Sequence, residues 1–279
     1  MMHLPWTKPT RALVVAALLA GGLGLSGCAD EAIGPAAYVE RPVEQIYNDA
    51  WSYVENEEWI EAGIQFGEVE RQHPYSVWAR RALLMSAFSY YMGNRYAEAI
   101  DTANTFIQLH PGNRDIPYAY YLKAVSLYEQ IGDVHRDQAR TNEALVALQD
   151  LVQRYADTEY ARDARLKIDL TRDHLAGKEM TVGRFYLRTG NPLAAIIRFR
   201  TVVESYQTTS HTPEALERLT EAYLTLGLVS EAQTSAAVLG HNYPGSPWYE
   251  DAYALLTDEG VAPREDDQSW ISRAWNSVF

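Results

Sequence analysis

The sequence predicts an all-α solenoid of about five helix pairs, and three observations carry that prediction. The first is one helical face. Within Arg95 to Pro111, Ala99, Ala103, Phe106 and Pro111 stand at offsets 0, 4, 7 and 12. Side chains three and four apart stack along a helix, so the first three share a face that admits a close neighbour beside Phe106. Pro111 lacks an N–H and clashes with the turn before it, which ends the helix. The second observation is repetition. Ala62, Phe66, Val69 and Pro74 keep the spacing, as do Ala232, Ala236, Leu239 and Pro244. Two further copies lose only the proline: Ala144, Leu148, Leu151 and Ala156, then Ala195, Phe199, Val202 and Gln207. Third, another helical pattern precedes each copy, with a small residue and a tyrosine three later in Ala50–Tyr53, Ala87–Tyr90 and Gly183–Tyr186. The fifth copy offers Leu216, Leu219 and Tyr223.

Helix pairs punctuated in this way with a period of about 34 residues are the tetratricopeptide (TPR) pattern. The offset-12 positions, 74, 111, 156, 207 and 244, lie 37, 45, 51 and 37 apart. Repeats three and four therefore carry insertions or lengthened helices.

Residues 1–27 read as a lipoprotein signal peptide. Lys8 and Arg11 give it a positive start, and Ala12 to Leu25 is apolar but too short to span a bilayer comfortably. Leu25-Ser26-Gly27-Cys28 then resembles the bacterial lipobox, in which the cysteine is acylated and the chain is cut just before it. The alternative is an ordinary secretory signal with a stray cysteine. Acyl chains contribute about 0.8 kcal/mol per buried CH₂, so a multiply acylated Cys28 anchors stably. Ala29, where an Asp would favour retention in the inner membrane, points to the periplasmic face of the cell outer membrane. Residues 28–40 form a lipidated tether broken at Gly34-Pro35.

The repeat domain runs over 41–256. Repeat one is parted near Asn56-Glu57 and repeat two at Gly93-Asn94, its second helix ending at His110-Pro111-Gly112. Ile131 to Thr141 is a charged insertion inside repeat three. A long helical pattern from Tyr160 to Arg188, interrupted by Gly177 and Gly183, leads into repeat four, whose second helix starts at Gly190-Asn191-Pro192. Gly227 parts repeat five. Residues 257–279 are an acidic linker, flexible from Thr257 to Gln268, and a short amphipathic helix. Trp270, Ile271, Ala274, Trp275 and Val278 fall on one face of it, which either caps the last repeat or docks on a partner or a membrane surface.

The formal charge is −13, and losing Lys8 and Arg11 with residues 1–27 takes it to −15. A strongly acidic chain argues against nucleic acid, which needs a basic stripe, and against electrostatic adhesion to anionic lipid. With one cysteine there is no internal disulfide, so stability must come from contact between stacked repeats. No Gly-rich phosphate loop, G-x-S-x-G elbow, H-E-x-x-H or Cys–His spacing is present, so no catalytic residue, metal ligand or cofactor is expected. His73 and His110 each precede a repeat proline and belong to the helical phase.

Binding signals are stronger. In TPR arrays the first helix of each pair lines the concave face. Counting along those helices brings Tyr47, Trp51 and Val54, then Leu84, Phe88 and Tyr91, then Tyr118, Tyr121, Val125 and Tyr128 into the groove. Its C-terminal half is charged instead, with Arg184, Arg188, Glu214, Glu217 and Glu221. An aromatic concave patch suits an extended peptide rich in aromatic residues. A register wrong by one would turn the same side chains into packing between helices. Arg184 and Arg188, with Arg198 and Arg200 on the second helix of repeat four, are candidate partner contacts; for Arg198 and Arg200 a solvated face is the alternative.

Several stretches resemble the BamD family, TPR lipoproteins of the outer-membrane β-barrel assembly machinery: R-Y-A-D-T-E-Y-A-R-D-A (154–164), G-R-F-Y-L-R-T-G-N-P-L-A-A-I-I-R-F-R-T-V-V-E (183–204), E-A-L-E-R-L-T-E-A-Y-L-T-L-G-L (214–228) and N-Y-P-G-S (242–246). The likeness covers nearly all of the mature chain to about Leu256. It departs from the common pattern at Ala156 and Gln207, where a proline usually stands, and in the Trp-bearing tail. The resemblance implies a non-enzymatic scaffold whose C-terminal repeats bind the POTRA domains of the barrel subunit BamA. Other BAM lipoproteins would accompany it, and its N-terminal repeats would receive unfolded outer-membrane proteins. Two other readings remain at this stage. One is a TPR pilotin or a cell-envelope division or secretion scaffold lipoprotein. The other is a murein hydrolase with a solenoid body, for which the residues after Leu256 are too few.

Overall fold

The structure, a computed structural model, describes residues 40–277. The expected signal peptide, Cys28, the tether up to residue 39 and Val278 lie outside the described residues. From Arg41 onward the chain forms five helix pairs: α1 (Val43–Glu55) with α2 (Trp59–Gln72), α3 (Val77–Met92) with α4 (Tyr96–Leu109), α5 (Ile116–Tyr128) with α6 (Ala139–Arg154), α7 (Glu159–Arg188) with α8 (Pro192–Ser205), and α9 (Thr212–Thr225) with α10 (Val229–Asn242). Two more follow, α11 (Pro247–Asp258) and α12 (Trp270–Asn276). There is no strand among the described residues, and the fold is an all-α TPR solenoid.

The apolar members of the recurring face, from Ala62 through Ala99, Phe106, Leu148 and Phe199 to Leu239, are at most 1% exposed. Their burial against the partner helix supplies the stability that short helices lack alone. First helices pack on one another, α1 on α3, α3 on α5, α5 on α7 and α9 on α11. No comparably close pair of second helices occurs among the described residues, so the first helices line the inner side.

The turns explain why the pairs look alike. In four of them the connection is three residues, 56–58, 93–95, 189–191 and 226–228. The middle residue is left-handed each time: Glu57 (φ 59°), Asn94 (57°), Gly190 (75°) and Gly227 (73°). In the pair α5–α6 the connection is instead the ten residues 129–138, the charged insertion. Every second helix ends on a ring, His73, His110, Tyr155, Tyr206 or Tyr243, with φ between −130° and −133°. Three of these rings pack on neighbouring aromatics, His110 on Phe106, Tyr155 on Tyr120 and Tyr243 on Trp275, at 5.3, 5.4 and 6.0 Å between centroids. The helix stops in the same way before Ala156 and Gln207, so the proline is dispensable there.

Helix α7 corrects one expectation. It is unbroken over 30 residues, about 45 Å at 1.5 Å per residue, and Gly177 and Gly183 do not interrupt it. Both are buried where another element presses close. A Cβ on Gly183 would lie 2.4 Å from the Phe199 ring, and one on Gly177 would lie 3.1 Å from His211. The N-terminal half of α7 flanks α5 and α6, and its C-terminal half pairs with α8.

The acidic stretch after α11 is held rather than loose. Gln233 Nε2 donates to the Ala262 carbonyl at 2.7 Å, and Ser269 Oγ to Glu231 Oε2 at 2.6 Å. Helix α12 then lies over α8 and α10 with Ile271 and Trp275 buried. Trp270 Nε1 donates to Tyr223 Oη at 2.9 Å, and Gln207 Nε2 to the Ala274 carbonyl at 2.8 Å. The glutamine that replaces a proline thus fastens the tail.

Candidate functional site

The aromatic residues assigned to the groove fall into two groups. Tyr47 does not line it. Its ring is 6% exposed, 5.3 Å from Phe66 and 4.8 Å from Trp78, and it builds the core between α1, α2 and α3. Val125 is likewise buried. At these two positions side chains turn toward the partner helix, as the one-residue shift of register would have it. Val54 is half-buried on the same core, and Trp51 is exposed, with Nε1 donating to Glu55 Oε1 at 3.1 Å.

The remaining residues gather on the inner side of α3, α5 and α7. Leu84, Phe88, Tyr91 and Tyr118 pack half-buried over Ala87, Ala103 and Leu122. Tyr118 and Tyr121 stack at 6.5 Å, and each lies 5.3 Å from Tyr160 of α7. Tyr121 Oη donates to Asp163 Oδ2 at 2.9 Å; Lys167 binds the same carboxylate at 2.9 Å and stands 5.5 Å above the Tyr128 ring. Burial pushes the Tyr118 hydroxyl up to about 12, and burial together with Asp163 raises Tyr121. Asp163 stays below its ordinary value, because the bonds from Lys167 and Tyr121 outweigh its burial. These tyrosines are therefore neutral and rigidly placed, with ring faces and hydroxyls to offer an incoming chain.

Tyr160, Asp163 and Lys167 were missed by sequence reasoning. Their spacing of three and four on one helical face is a legible signal, but only once α7 is known to reach back beside α5. At the N-terminal ends of α3 and α5 a cavity of about 770 Å³ is lined by Arg80, Arg81, Leu84 and Tyr118 among others. Arg80 has no ion-pair partner among the described residues, so basic charge adjoins the aromatic face.

The arginines of the C-terminal half differ in how free they are. Arg184 Nε donates to Glu214 Oε1 at 2.6 Å, and its second nitrogen binds the other oxygen. Arg218 bridges Glu217 and Glu221 at 3.2 and 2.6 Å. Glu217 is 3% exposed, and burial pushes it up to about 7, with Arg218 opposing and Glu221, Asp251 and Glu214 adding to the rise. Arg188 is exposed beside this network and has no ion-pair partner among the described residues. On α8, Arg200 is engaged within the chain. It lies 4.5 Å above the Trp270 ring and 2.8 Å from Glu204. Arg198 pairs with Glu179 at 3.2 Å but keeps 42% of its side chain exposed, on a helix that also exposes Leu193 and Ile197.

A stack of TPR pairs with an aromatic inner face is the build of a protein-binding solenoid. The outer membrane lipoprotein family YfiO matches residues 39–239. A Caulobacter vibrioides protein described as outer membrane protein assembly factor BamD is 57% identical, over 90% of this chain and 83% of that one. Proteins of the same description from Rickettsia prowazekii and Neisseria meningitidis serogroup A are 46% and 30% identical, over 87% and 91% of this chain and 96% of each relative. The chain belongs to this family of outer membrane lipoproteins, that of the assembly factor BamD. Among solved structures, a TPR protein of Thermus thermophilus matches at 17% identity with a TM-score of 0.35, over 77% of this chain and all of that one, too loosely to bear on the fold. Among the described residues no helix is long and apolar enough to cross a membrane.

Proposed function

We propose that this protein is a non-enzymatic scaffold of outer-membrane β-barrel assembly, held on the periplasmic face of the outer membrane through acylated Cys28. Family membership supports the role, and the Tyr91–Tyr118–Tyr121–Tyr160 face supports the way it is carried out. Neutral, pre-placed rings stack on the aromatic side chains of an unfolded outer-membrane protein at low conformational cost. Arg80 and Arg81 at the end of the face suit a carboxylate on the same segment.

The C-terminal half suits a stable partner, the POTRA domains of BamA. Arg198 is the contact of choice, because a half-exposed arginine on a helix that also exposes Leu193 and Ile197 offers charge together with apolar anchors. Arg188 extends that surface toward the inner side. Arg184 on Glu214 and Arg200 over Trp270 act by fixing α9 and α12, whereas the Glu179 partner of Arg198 lies on α7, its own helix pair.

The test is affinity purification of the tagged lipoprotein from detergent-solubilised envelopes, with the eluate identified by mass spectrometry. A large POTRA-bearing barrel protein should co-purify in roughly equal amount, and Arg198→Glu should weaken that recovery without changing helicity. A secretin or division protein in its place would overturn the assignment. For the inner face, Trp51→Ala with Tyr91→Ala should reduce crosslinking to peptides of the aromatic C-terminal β-signal of outer-membrane proteins; equal crosslinking would refute the substrate role.

A further inference from the structure

Two places between second helices are built alike, and one of them is filled. In the C-terminal half α12 lies over α8 and α10 with α9 beneath. Residues of that site include Ile196, one past the small residue Ala195, and Tyr223, ten past Pro213 of α9, which bonds Trp270. The equivalent site between α4 and α6 lies over α5. It has Ile100 one past Ala99 and Leu127 ten past Pro117 of α5. Here no helix among the described residues lies above, and an open cavity of about 790 Å³ remains. The ten-residue connection 129–138, against three residues in the other pairs, sets α6 in its own position beside this groove.

The wall and floor are chemically marked. Val146 on α6 is 65% exposed and faces the groove beside Ala147. Lys123 on α5 lines it and has no ion-pair partner among the described residues, whereas Arg140 at the rim is paired with Glu143 at 3.0 Å. On a chain of net charge −13, a half-buried, unpaired lysine beneath exposed valine calls for an acid carried next to an apolar anchor. The filled site shows what such an occupant looks like: α12 is a short amphipathic helix with buried Ile271 and Trp275 and an acidic lead-in, Glu265-Asp266-Asp267.

We infer that the α4–α6 groove is a docking site for a short amphipathic helix of a partner protein, one with a large apolar anchor and an acidic residue that pairs with Lys123. It takes the occupant as the α8–α10 groove takes α12. The site lies on the outer side, away from the tyrosine face, so it leaves substrate binding free.

The test places the photocrosslinking residue benzoylphenylalanine at Val146 in the full lipoprotein within its own envelope, with Thr105, on another side of α4, as control. The expected result is a crosslink from position 146 and none from 105. By mass spectrometry it should map to one segment of a different protein that forms a helix of about two to four turns with a Trp, Phe or Leu and an Asp or Glu. Lys123→Glu should cut the yield at least about fivefold and Lys123→Gln less, with the circular dichroism of both unchanged. No crosslink, a crosslink to an extended or basic segment, or one to a second copy of this chain would each overturn the proposal. If Lys123→Glu lost its helicity, the charge arm would be read from Lys123→Gln, and an undiminished yield there would overturn the acidic character of the occupant.

Discussion

In the second and third helix pairs the inner face holds Tyr91, Tyr118 and Tyr121 with Tyr160, and the half-exposed acid beside them, Asp163, is shared by Lys167 and a hydroxyl. In the fourth and fifth pairs the same side holds Arg184 on Glu214 and Arg218 on Glu217 and Glu221. The cores differ too. The first two pairs bury small separate clusters, such as Ile46, Ala50, Phe66 and Val69, whereas one cluster runs from Ala176 on α7 to Trp275 on α12. The repeat fixes where side chains go, and the residues there decide whether a half is an open, ring-faced surface or a closed, ion-paired body. The proposed function, a constant partner held while substrates change, would use the two kinds of surface in separate halves.

The sharpest way to break this contrast is to make the same cavity in each half. Phe66 and Phe199 occupy the same repeat position, and both are fully buried. Phe→Ala at such sites costs about 3–5 kcal/mol. Phe199→Ala should loosen α7 through α12 together, because its neighbours form one cluster. Phe66→Ala should expose only α1 to α3, since solenoid repeats are coupled to nearest neighbours. Amide hydrogen exchange by segment distinguishes the two; identical patterns would mean the halves are a single cooperative unit.

Next comes pH. Glu217 titrates near 7 in the folded chain against about 4.5 when unfolded. The folded state therefore holds more protons between those values, and stability falls as pH rises from about 4.5 through 7. Glu217→Gln removes that loss. At pH 8 it should be more stable than the parent chain by about 1–3 kcal/mol, with the advantage gone below pH 5. Thermal melts at the two pH values check this. A variant equally shifted at both would place the effect in packing instead. In the other half, Tyr121→Phe removes the 2.9 Å bond to Asp163 and should cost about 1 kcal/mol. Lys167 still satisfies the carboxylate, so the loss should be independent of pH from 6 to 8.

Most of the fold was legible because TPR packing leaves a residue-level imprint: small residues at two fixed positions, a ring or leucine beside them, and a stop. The groove was legible only in part. Tyr47 and Val125 have the composition of groove residues, yet their side chains turn into the core, and a helix face one position away decides which. Tyr160 escaped because repeats were counted from the second helices, and α7 extends well before its own repeat begins. Gly177 and Gly183 read as breaks, since a glycine forced by close packing looks the same in sequence as one that ends a helix. The tail's position was open because its partner groove is built from α8, α9 and α10, and the bonds that hold it there, Glu231–Ser269, Tyr223–Trp270 and Gln207–Ala274, join residues 38, 47 and 67 apart.

The smallest effect tests the turns that make the halves alike. Glu57, in the first pair, holds φ 59° where Gly190 and Gly227, in the fourth and fifth, hold 75° and 73°. A non-glycine residue is strained in that region by about 1 kcal/mol or more, while glycine adds entropy to the unfolded chain. Glu57→Gly should therefore stabilise the first pair by a net of about 0.5 kcal/mol, and Gly190→Ala should cost about 1 kcal/mol. Nothing lies within 4 Å of a Cβ at Gly190, so that cost comes from backbone conformation and not from a clash. Denaturant midpoints at constant slope measure both. A loss on Glu57→Gly would mean that the carboxylate itself holds the turn, and the terminal pair would then differ from the others in its chemistry and not only in its position at the end of the stack.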